Sequence, residues 1–201
     1  LALALQDIGQ ETERATRVIE SIRALARKRV PVRVLNNPVA LAHEAVALFC
    51  GLLGQAPPIP VECKPDNAGL RAPGDPQQIQ QVLLNLLKNA LDAHRAAGRP
   101  DAPITISIEP QGDRLALAVI DEGAPLGEAE RARLFEPFYT TRPDGLGLGL
   151  AICRGIAETH GGALQARPAG AAGEPGMVFE LLLPLAPTAT RLPPTPQDLA
   201  P

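Results

Sequence analysis

Three glycines at alternate positions, Gly145, Gly147 and Gly149, stand just before an apolar run with helical spacing, AICRGIAETH. Because glycine has no Cβ, this backbone can adopt positive φ and bring its N–H groups close to an anion. The start of the following helix adds partial positive charge. The pattern predicts a phosphate-binding turn. A glycine-rich surface turn without a ligand is the alternative that the glycines alone leave open.

Two asparagines, Asn85 and Asn89, lie four residues apart in an otherwise largely apolar helical pattern. This spacing places both amides on one face of the helix, where they need hydrogen-bond partners. Two roles are open for them. The amides cap neighbouring backbone, or their carbonyl oxygens help to hold Mg²⁺, which prefers oxygen ligands and brings substrate phosphates with it.

A carboxylate, Asp121, ends a predicted strand and is followed by Glu122 and Gly123. At the edge of a sheet, this carboxylate could accept a hydrogen bond from a ligand base. Taken alone, the residue specifies no function.

Hydrophobic periodicity and capping residues predict the elements that position these groups. Asn37 and Asp75 each precede a proline that starts a helix, and Gly98 closes the helix that carries the two asparagines. The predicted helices span 8–29, 38–53, 76–97 and 148–159, and the first has the spacing of a coiled coil. The predicted strands span 59–63, 69–72, 104–109, 114–120, 163–167 and 177–183. This order indicates an α+β two-layer sandwich, a mixed sheet covered by about three helices on one face, preceded by one long helix.

Composition limits the class of protein. The 201 residues are 45% hydrophobic and 20% charged, which suits one substantial core with a short appendage. A net charge of -3 disfavours nucleic acid as a partner, and no apolar run reaches the length of a membrane span. The three cysteines lack metal-ligand spacing, so we expect free thiols in the cytoplasm, with a redox role for Cys153 as a minor alternative. The chain begins at Leu1 and is expected to be part of a longer protein.

Four blocks, taken together, resemble the catalytic and ATP-binding domain of sensor histidine kinases, in the GHKL ATPase superfamily. In order and spacing, they are similar to that family's N box, first glycine box, F box and second glycine box. They read QQIQQVLLNLLKNALDA from Gln77, VIDEG from Val119, LFEPFYTT from Leu134 and GLGLGLAICRGIAETHGG from Gly145. The resemblance covers residues 34–185 and implies a Bergerat-type ATP-binding fold. The short lid between the last two blocks is similar to that of nitrogen, oxygen and dicarboxylate sensors.

The resemblance implies a role for each matching residue. Asn89 would coordinate Mg²⁺ and Asn85 would assist, while Asp121 would accept a hydrogen bond from the adenine amino group. Gly123 would let the base lie against the backbone. The ATP-binding set implied in full is Asn85, Asn89, Asp92, Asp121, Gly123, Thr140, Thr141, Arg142, Gly145, Leu146, Gly147, Leu148, Gly149 and Leu150. Of these, Thr140, Thr141 and Arg142 would form the lid, and the three glycines would wrap the phosphates.

The resemblance also implies domains and partners. Residues 1–30 resemble the second helix of the dimerisation and histidine-phosphotransfer domain, 31–185 the catalytic domain, and 186–201 form a Pro-rich tail expected to be disordered. The phospho-acceptor histidine would lie upstream of Leu1, on a helix of a homodimer, and a response regulator would be the next partner. His43 is expected to have a structural or surface role, and His94 and His160 are expected to be partly exposed near helix ends.

Two departures from the family pattern keep other functions open. Pro125 stands where the first glycine box has a second glycine, and Leu146 stands where the second box often has threonine. A nucleotide-binding or relay module without catalysis is one alternative. A hydrolysing ATPase of the same superfamily is another, although Asn85 occupies the position where those enzymes carry a glutamate base.

Overall fold

The computed structural model describes residues 32–54, 57–63, 69–142, 145–170 and 174–186. These residues form four helices: α1 (Pro38–Leu53), α2 (Pro76–Ala96), α3 (Glu128–Arg133) and α4 (Gly149–Thr159). They also form seven strands: β1 (Val34–Asn36), β2 (Val61–Cys63), β3 (Ala72–Gly74), β4 (Thr105–Gln111), β5 (Arg114–Asp121), β6 (Ala163–Pro168) and β7 (Met177–Pro184). The predicted helix over 8–29 lies outside the described residues.

Helices α1 and α2 begin where the capping residues predict. The side chains of Asn37 and Asp75 each accept hydrogen bonds from two backbone N–H groups of the first turn, and a proline occupies the first helical position of both helices. Helix α2 ends just before Gly98, whose φ of +70° turns the chain away from the helix.

Five strands form one mixed sheet in the order β2-β4-β5-β7-β6. Strand β2 runs parallel to β4, and the other neighbours are antiparallel. Strands β1 and β3 pair separately as a two-stranded antiparallel sheet. Because β5 is the central strand of the larger sheet, its last residue, Asp121, lies in the middle of one end of that sheet.

Helices α1, α2 and α4 pack on one face of the sheet, which confirms the predicted two-layer fold class. Burial of each large apolar side chain between these layers contributes about 1.5–3 kcal/mol. The alternation predicted for β4 is confirmed by its buried residues Ile106 and Ile108. The largest fully buried side chains belong to Ile79, Leu83, Leu86, Leu87, Ile104, Ile106, Ile108, Leu115, Leu117, Leu148, Leu181 and Leu183.

The structure differs from the sequence prediction in its short elements. Strand β1 and helix α3 were not predicted, and β3 lies three residues later than expected. Asn36 is buried in β1, where its side-chain amide donates to the carbonyl oxygens of Val34 and Gly74. Leu185 and Ala186 donate backbone hydrogen bonds to Asp113 and Arg71, and residues 187–201, nearly all of the predicted tail, lie outside the described residues.

Candidate functional site

The middle of α2 carries the two asparagines on a half-buried edge of the helix. The arginine of the predicted lid reaches this edge. Arg142 donates from Nη1 to Asn89 Oδ1 at 3.3 Å and from Nη2 to the backbone oxygen of Asn89 at 2.9 Å. The same Nη1 lies 2.7 Å from Asp92 Oδ2. One guanidinium therefore joins the predicted N box to a lid residue about fifty positions away in sequence.

Asn85 lies one turn earlier on α2 and faces α4. Its Nδ2 donates to Cys153 Sγ at 3.4 Å, and Cys153 is fully buried. Burial raises the pKa of this thiol to about 12. The thiol therefore stays protonated near neutral pH, which argues against a redox role for Cys153. Its hydrogen bond with Asn85 links α2 to α4 beside the site.

The lid residues lie between the F box and the glycine turn. Thr140 Oγ1 accepts a hydrogen bond from Arg142 N at 3.1 Å, which folds this segment back on itself. Gly145 lies against Thr140, since a Cβ at Gly145 would overlap Thr140 Oγ1. Thr141 is exposed to solvent. The remaining lid positions, 143 and 144, lie outside the described residues.

Of the three glycines in the turn, Gly147 is the one whose backbone conformation and close contacts exclude a side chain. Gly147 has φ +64°, and a Cβ there would lie 2.5 Å from the backbone carbon of Phe138 and 2.6 Å from Tyr139 O. Phe138 N donates to Gly147 O at 2.9 Å, and Phe138 itself has φ +67°. The sequence allows positive φ at all three glycines, but only Gly147 adopts it. Gly149 instead starts α4.

The three leucines of the turn differ in burial. Leu148 is a core residue, so that only its backbone remains for a ligand, and its carbonyl accepts the hydrogen bond from Ile152 N that opens α4. Leu146 and Leu150 are half-buried. The backbone of this turn, rather than its leucine side chains, therefore offers the polar groups that a ligand could contact.

At the other end of the site, Asp121 lies at the end of β5 with only 2% of its surface exposed. Burial raises the pKa of its carboxyl group, although the 2.8 Å hydrogen bond from Gly123 N favours the ionised form. Gly123 is pressed against α2, because a Cβ there would lie 2.7 Å from Ala93 Cβ. The turn formed by Asp121, Glu122 and Gly123 is called the adenine turn below, after the role that the sequence predicts for it.

Two histidines correct the sequence prediction. His94 and His160 were expected to be partly exposed, but they are 0% and 1% exposed. The expectation was wrong because both rings bind backbone N–H groups of distant segments: His94 Nε2 accepts from Glu122 N at 2.8 Å, and His160 Nε2 accepts from Asp75 N at 2.9 Å. His43, on α1, is exposed as expected. No periodicity in the sequence indicates these long-range partners, which is why the link between His94 and the adenine turn was missed.

The described residues contain no helix long and apolar enough to cross a membrane. In the same part of the chain, no three His, Cys, Asp or Glu side chains come together as a metal cluster.

A family model described as histidine kinase-, DNA gyrase B-, and HSP90-like ATPase matches residues 74–187. The chain is 31% identical over 92% of its length to the C4-dicarboxylate transport sensor protein DctS of Rhodobacter capsulatus, and covers 28% of that protein. It is 33% identical over 80% of its length to the C4-dicarboxylate transport sensor protein DctB of Rhizobium meliloti, and covers 25% of it. The chain thus spans about a quarter of the length of these relatives.

Solved structures show the same fold. The catalytic domain of histidine kinase ThkA superposes with a TM-score of 0.61 at 30% identity, over 76% of this chain and 95% of that one. Full-length ShkA in complex with AMPPNP superposes with a TM-score of 0.69 at 25% identity, over 94% of this chain and 39% of that one. These superpositions confirm the Bergerat-type ATP-binding fold.

Proposed function

Because this chain belongs to the family of histidine kinase-, DNA gyrase B- and HSP90-like ATPases, we propose that it is the ATP-binding part of a sensor histidine kinase. It binds Mg-ATP and delivers the γ-phosphate to a histidine upstream of residue 1. A response regulator then receives the phosphoryl group, and the full-length protein works as a homodimer through the segment that contains residues 1–30.

The bridge made by Arg142 carries this proposal. It brings the lid to the asparagine edge of α2, while Gly147 packs the glycine turn onto Phe138 and Tyr139 just before the lid. Phosphoryl transfer depends mainly on positioning the phosphates and neutralising their charge. A site made of amides, one arginine and backbone N–H groups therefore suffices without a nucleophile of its own.

Mg²⁺ fits the oxygen atoms of α2. Asn89 Oδ1 and Asp92 Oδ2 both bind the positively charged Arg142, so this point already accommodates a cation. Amide and carboxylate oxygens are ligands that Mg²⁺ takes in proteins. Asn89 would hold the ion, with Asn85 in an assisting role. The ion would supply charge neutralisation at the ATP phosphates.

The histidines of the chain support an acceptor elsewhere. His94 and His160 are buried and hydrogen-bonded to backbone, so neither can reach a γ-phosphate. His43 is exposed on α1. Hydrolysis by the chain alone is disfavoured, because the amide of Asn85 cannot take a proton from water.

The test supplies the upstream phosphotransfer domain of the same protein in trans with γ-labelled ATP. We expect Mg²⁺-dependent label on a histidine of that domain, stable in alkali and lost in acid. Asn89→Ala should abolish both labelling and Mg²⁺-dependent binding of an ATP analogue while the domain stays folded. His43→Ala is the matched control and should label normally. Tight binding of the analogue without any label would show a relay module instead of a kinase.

A further inference from the structure

The adenine turn is fastened to the last turns of α2. His94, which is 0% exposed, accepts a hydrogen bond at Nε2 from Glu122 N at 2.8 Å. Glu122 is the middle residue of the turn, so this single bond fixes the peptide between Asp121 and Glu122. The orientation of this peptide determines the position of the Asp121 carboxylate.

Two further contacts support the same attachment. Gly123 packs against Ala93 so closely that a Cβ would lie 2.7 Å from Ala93 Cβ. Arg99 bonds the carboxylate and, at 3.4 Å, the backbone oxygen of Glu122. Arg99 and Glu122 are about half exposed, at 49% and 42%, so this pair is weak beside the buried bond of His94.

The protonation of His94 follows from its bond. Because Nε2 accepts a hydrogen, the neutral ring carries its proton on Nδ1. Nδ1 is buried, and no hydrogen-bond partner for it is found among the described residues. An apolar side chain of similar size would avoid this unsatisfied donor. Packing alone therefore does not require a histidine at this position. The hydrogen bond from Glu122 N does require a side chain with an acceptor.

We propose that His94 is a positioning residue for adenine recognition, which orients the carboxylate of Asp121 toward the 6-amino group of the base by holding Glu122 N. This role rests on the proposed function. It also makes α2 the common support of both ends of the nucleotide, because the same helix carries Asn89 for the phosphates.

The experiment compares binding of a non-hydrolysable ATP analogue with binding of its inosine counterpart, which has an oxygen in place of the 6-amino group. In the wild-type chain the adenine form should bind more tightly. His94→Leu should weaken binding of the adenine form roughly tenfold, as expected for one misdirected hydrogen bond, and bring the ratio of the two dissociation constants toward one. His94→Met, a second apolar variant, should behave alike. His94→Gln, whose side-chain oxygen can accept from Glu122 N, should restore most of the ratio.

Hydrogen exchange supplies a readout without nucleotide. The Glu122 amide should exchange faster in His94→Leu than in the wild type and be protected again in His94→Gln. His160→Leu is the matched control, since it removes the other buried histidine and should leave both the ratio and this amide unchanged.

The outcomes separate the positioning role from the proposed function. A wild-type chain that binds no ATP analogue overturns both. A wild-type chain that binds the ATP analogue but does not prefer adenine over inosine overturns only the role of His94. A wild-type preference that is lost in Asp121→Asn but kept in His94→Leu and His94→Met overturns only the role of His94.

Discussion

At the scale of single residues, Asp121 carries a carboxylate that folding disfavours. Burial raises its pKa above the ordinary 3.8, so folding favours the protonated form over the ionised form more than the unfolded chain does. The contribution of protonated Asp121 to the free energy of unfolding is fully present below pH 3.8. It is lost as the pH rises through the higher pKa of the folded state. Near neutral pH, the ionised carboxylate is therefore a cost to stability that the proposed binding of adenine explains.

We predict that Asp121→Asn unfolds at the same or a higher temperature than the wild type at pH 7. Asparagine keeps an oxygen for Gly123 N and removes the buried charge. The same variant should bind the adenine nucleotide at least about tenfold more weakly, because the charged acceptor is lost. Thermal unfolding at pH 7 and in acid checks the sign, since any gain in stability should shrink as the pH falls. A clear loss of stability at pH 7 would contradict the assigned cause of the pKa shift.

Gly147 and Gly149 offer a matched pair in one turn. Gly147→Ala should destabilise the domain by at least about 1–2 kcal/mol, because alanine is strained at φ +64° and its Cβ would meet backbone atoms of Phe138 and Tyr139. Gly149→Ala should be neutral or stabilising by up to about 1 kcal/mol, since nothing lies within 4 Å of its Cβ and it begins α4.

Chemical denaturation of both glycine variants measures these differences, and binding of an ATP analogue shows whether the turn still holds phosphate. Equal effects at the two positions would mean that general glycine flexibility, rather than the contact of Gly147 with the F box, shapes this turn.

At the scale of elements, the lid contacts α2 through the guanidinium of Arg142. Arg142 and the proposed Mg²⁺ both require Asn89 Oδ1. We predict that Arg142→Gln lowers the Mg²⁺ concentration needed for half-maximal nucleotide binding by roughly 2- to 5-fold, the scale of a partly exposed charge contact. Arg154→Gln, which removes an exposed ion pair with Glu158 on α4, is the control. A Mg²⁺ requirement that rises in Arg142→Gln would show that the arginine assists the ion instead of competing with it.

Elements with local signals were predictable, and elements that depend on partners were not. Helices α1 and α2 were placed correctly because Asn37, Asp75 and the prolines after them act within one turn. Strand β1 was missed because its pairing with β3 joins segments nearly forty residues apart. The roles expected for Asn89 and Asp121 come from the resemblance. The contacts of Arg142 with Asn89 and of His94 with Glu122 N have no signal in the sequence and are seen only in the structure.

At the scale of the whole molecule, α2 and α4 are joined at two places. Near the site, Asn85 bonds Cys153. At the far end, His160 accepts from Asp75 N and its Nδ1 donates to Ile156 O at 2.8 Å, which ties the end of α4 to the start of α2. The chain entering the domain attaches to this same far end.

Two bonds make that attachment. Val32 N donates to the Asp75 carboxylate at 3.2 Å, and Arg33 donates to the backbone oxygen of Thr159. The two buried histidines thus belong to opposite ends of one framework. His94 acts at the adenine turn, and His160 acts where residues 32 and 33 enter.

We predict that replacing His160 lowers mainly the stability of the domain, whereas replacing His94 lowers mainly its preference for adenine. His160→Leu leaves the N–H of Asp75 without its acceptor inside the protein, which should cost about 1–3 kcal/mol and lower the melting temperature by about 2–4 °C for each kcal/mol. Its preference for adenine over inosine should equal that of the wild type, since the ring of His160 hydrogen-bonds to Asp75 and Ile156, at the other end of α2 from the adenine turn. His94→Leu should show the reverse pattern, with lost preference and a smaller change in melting temperature. If both variants lost preference in proportion to their lost stability, the framework would respond as a single unit, and neither histidine would have a separate role.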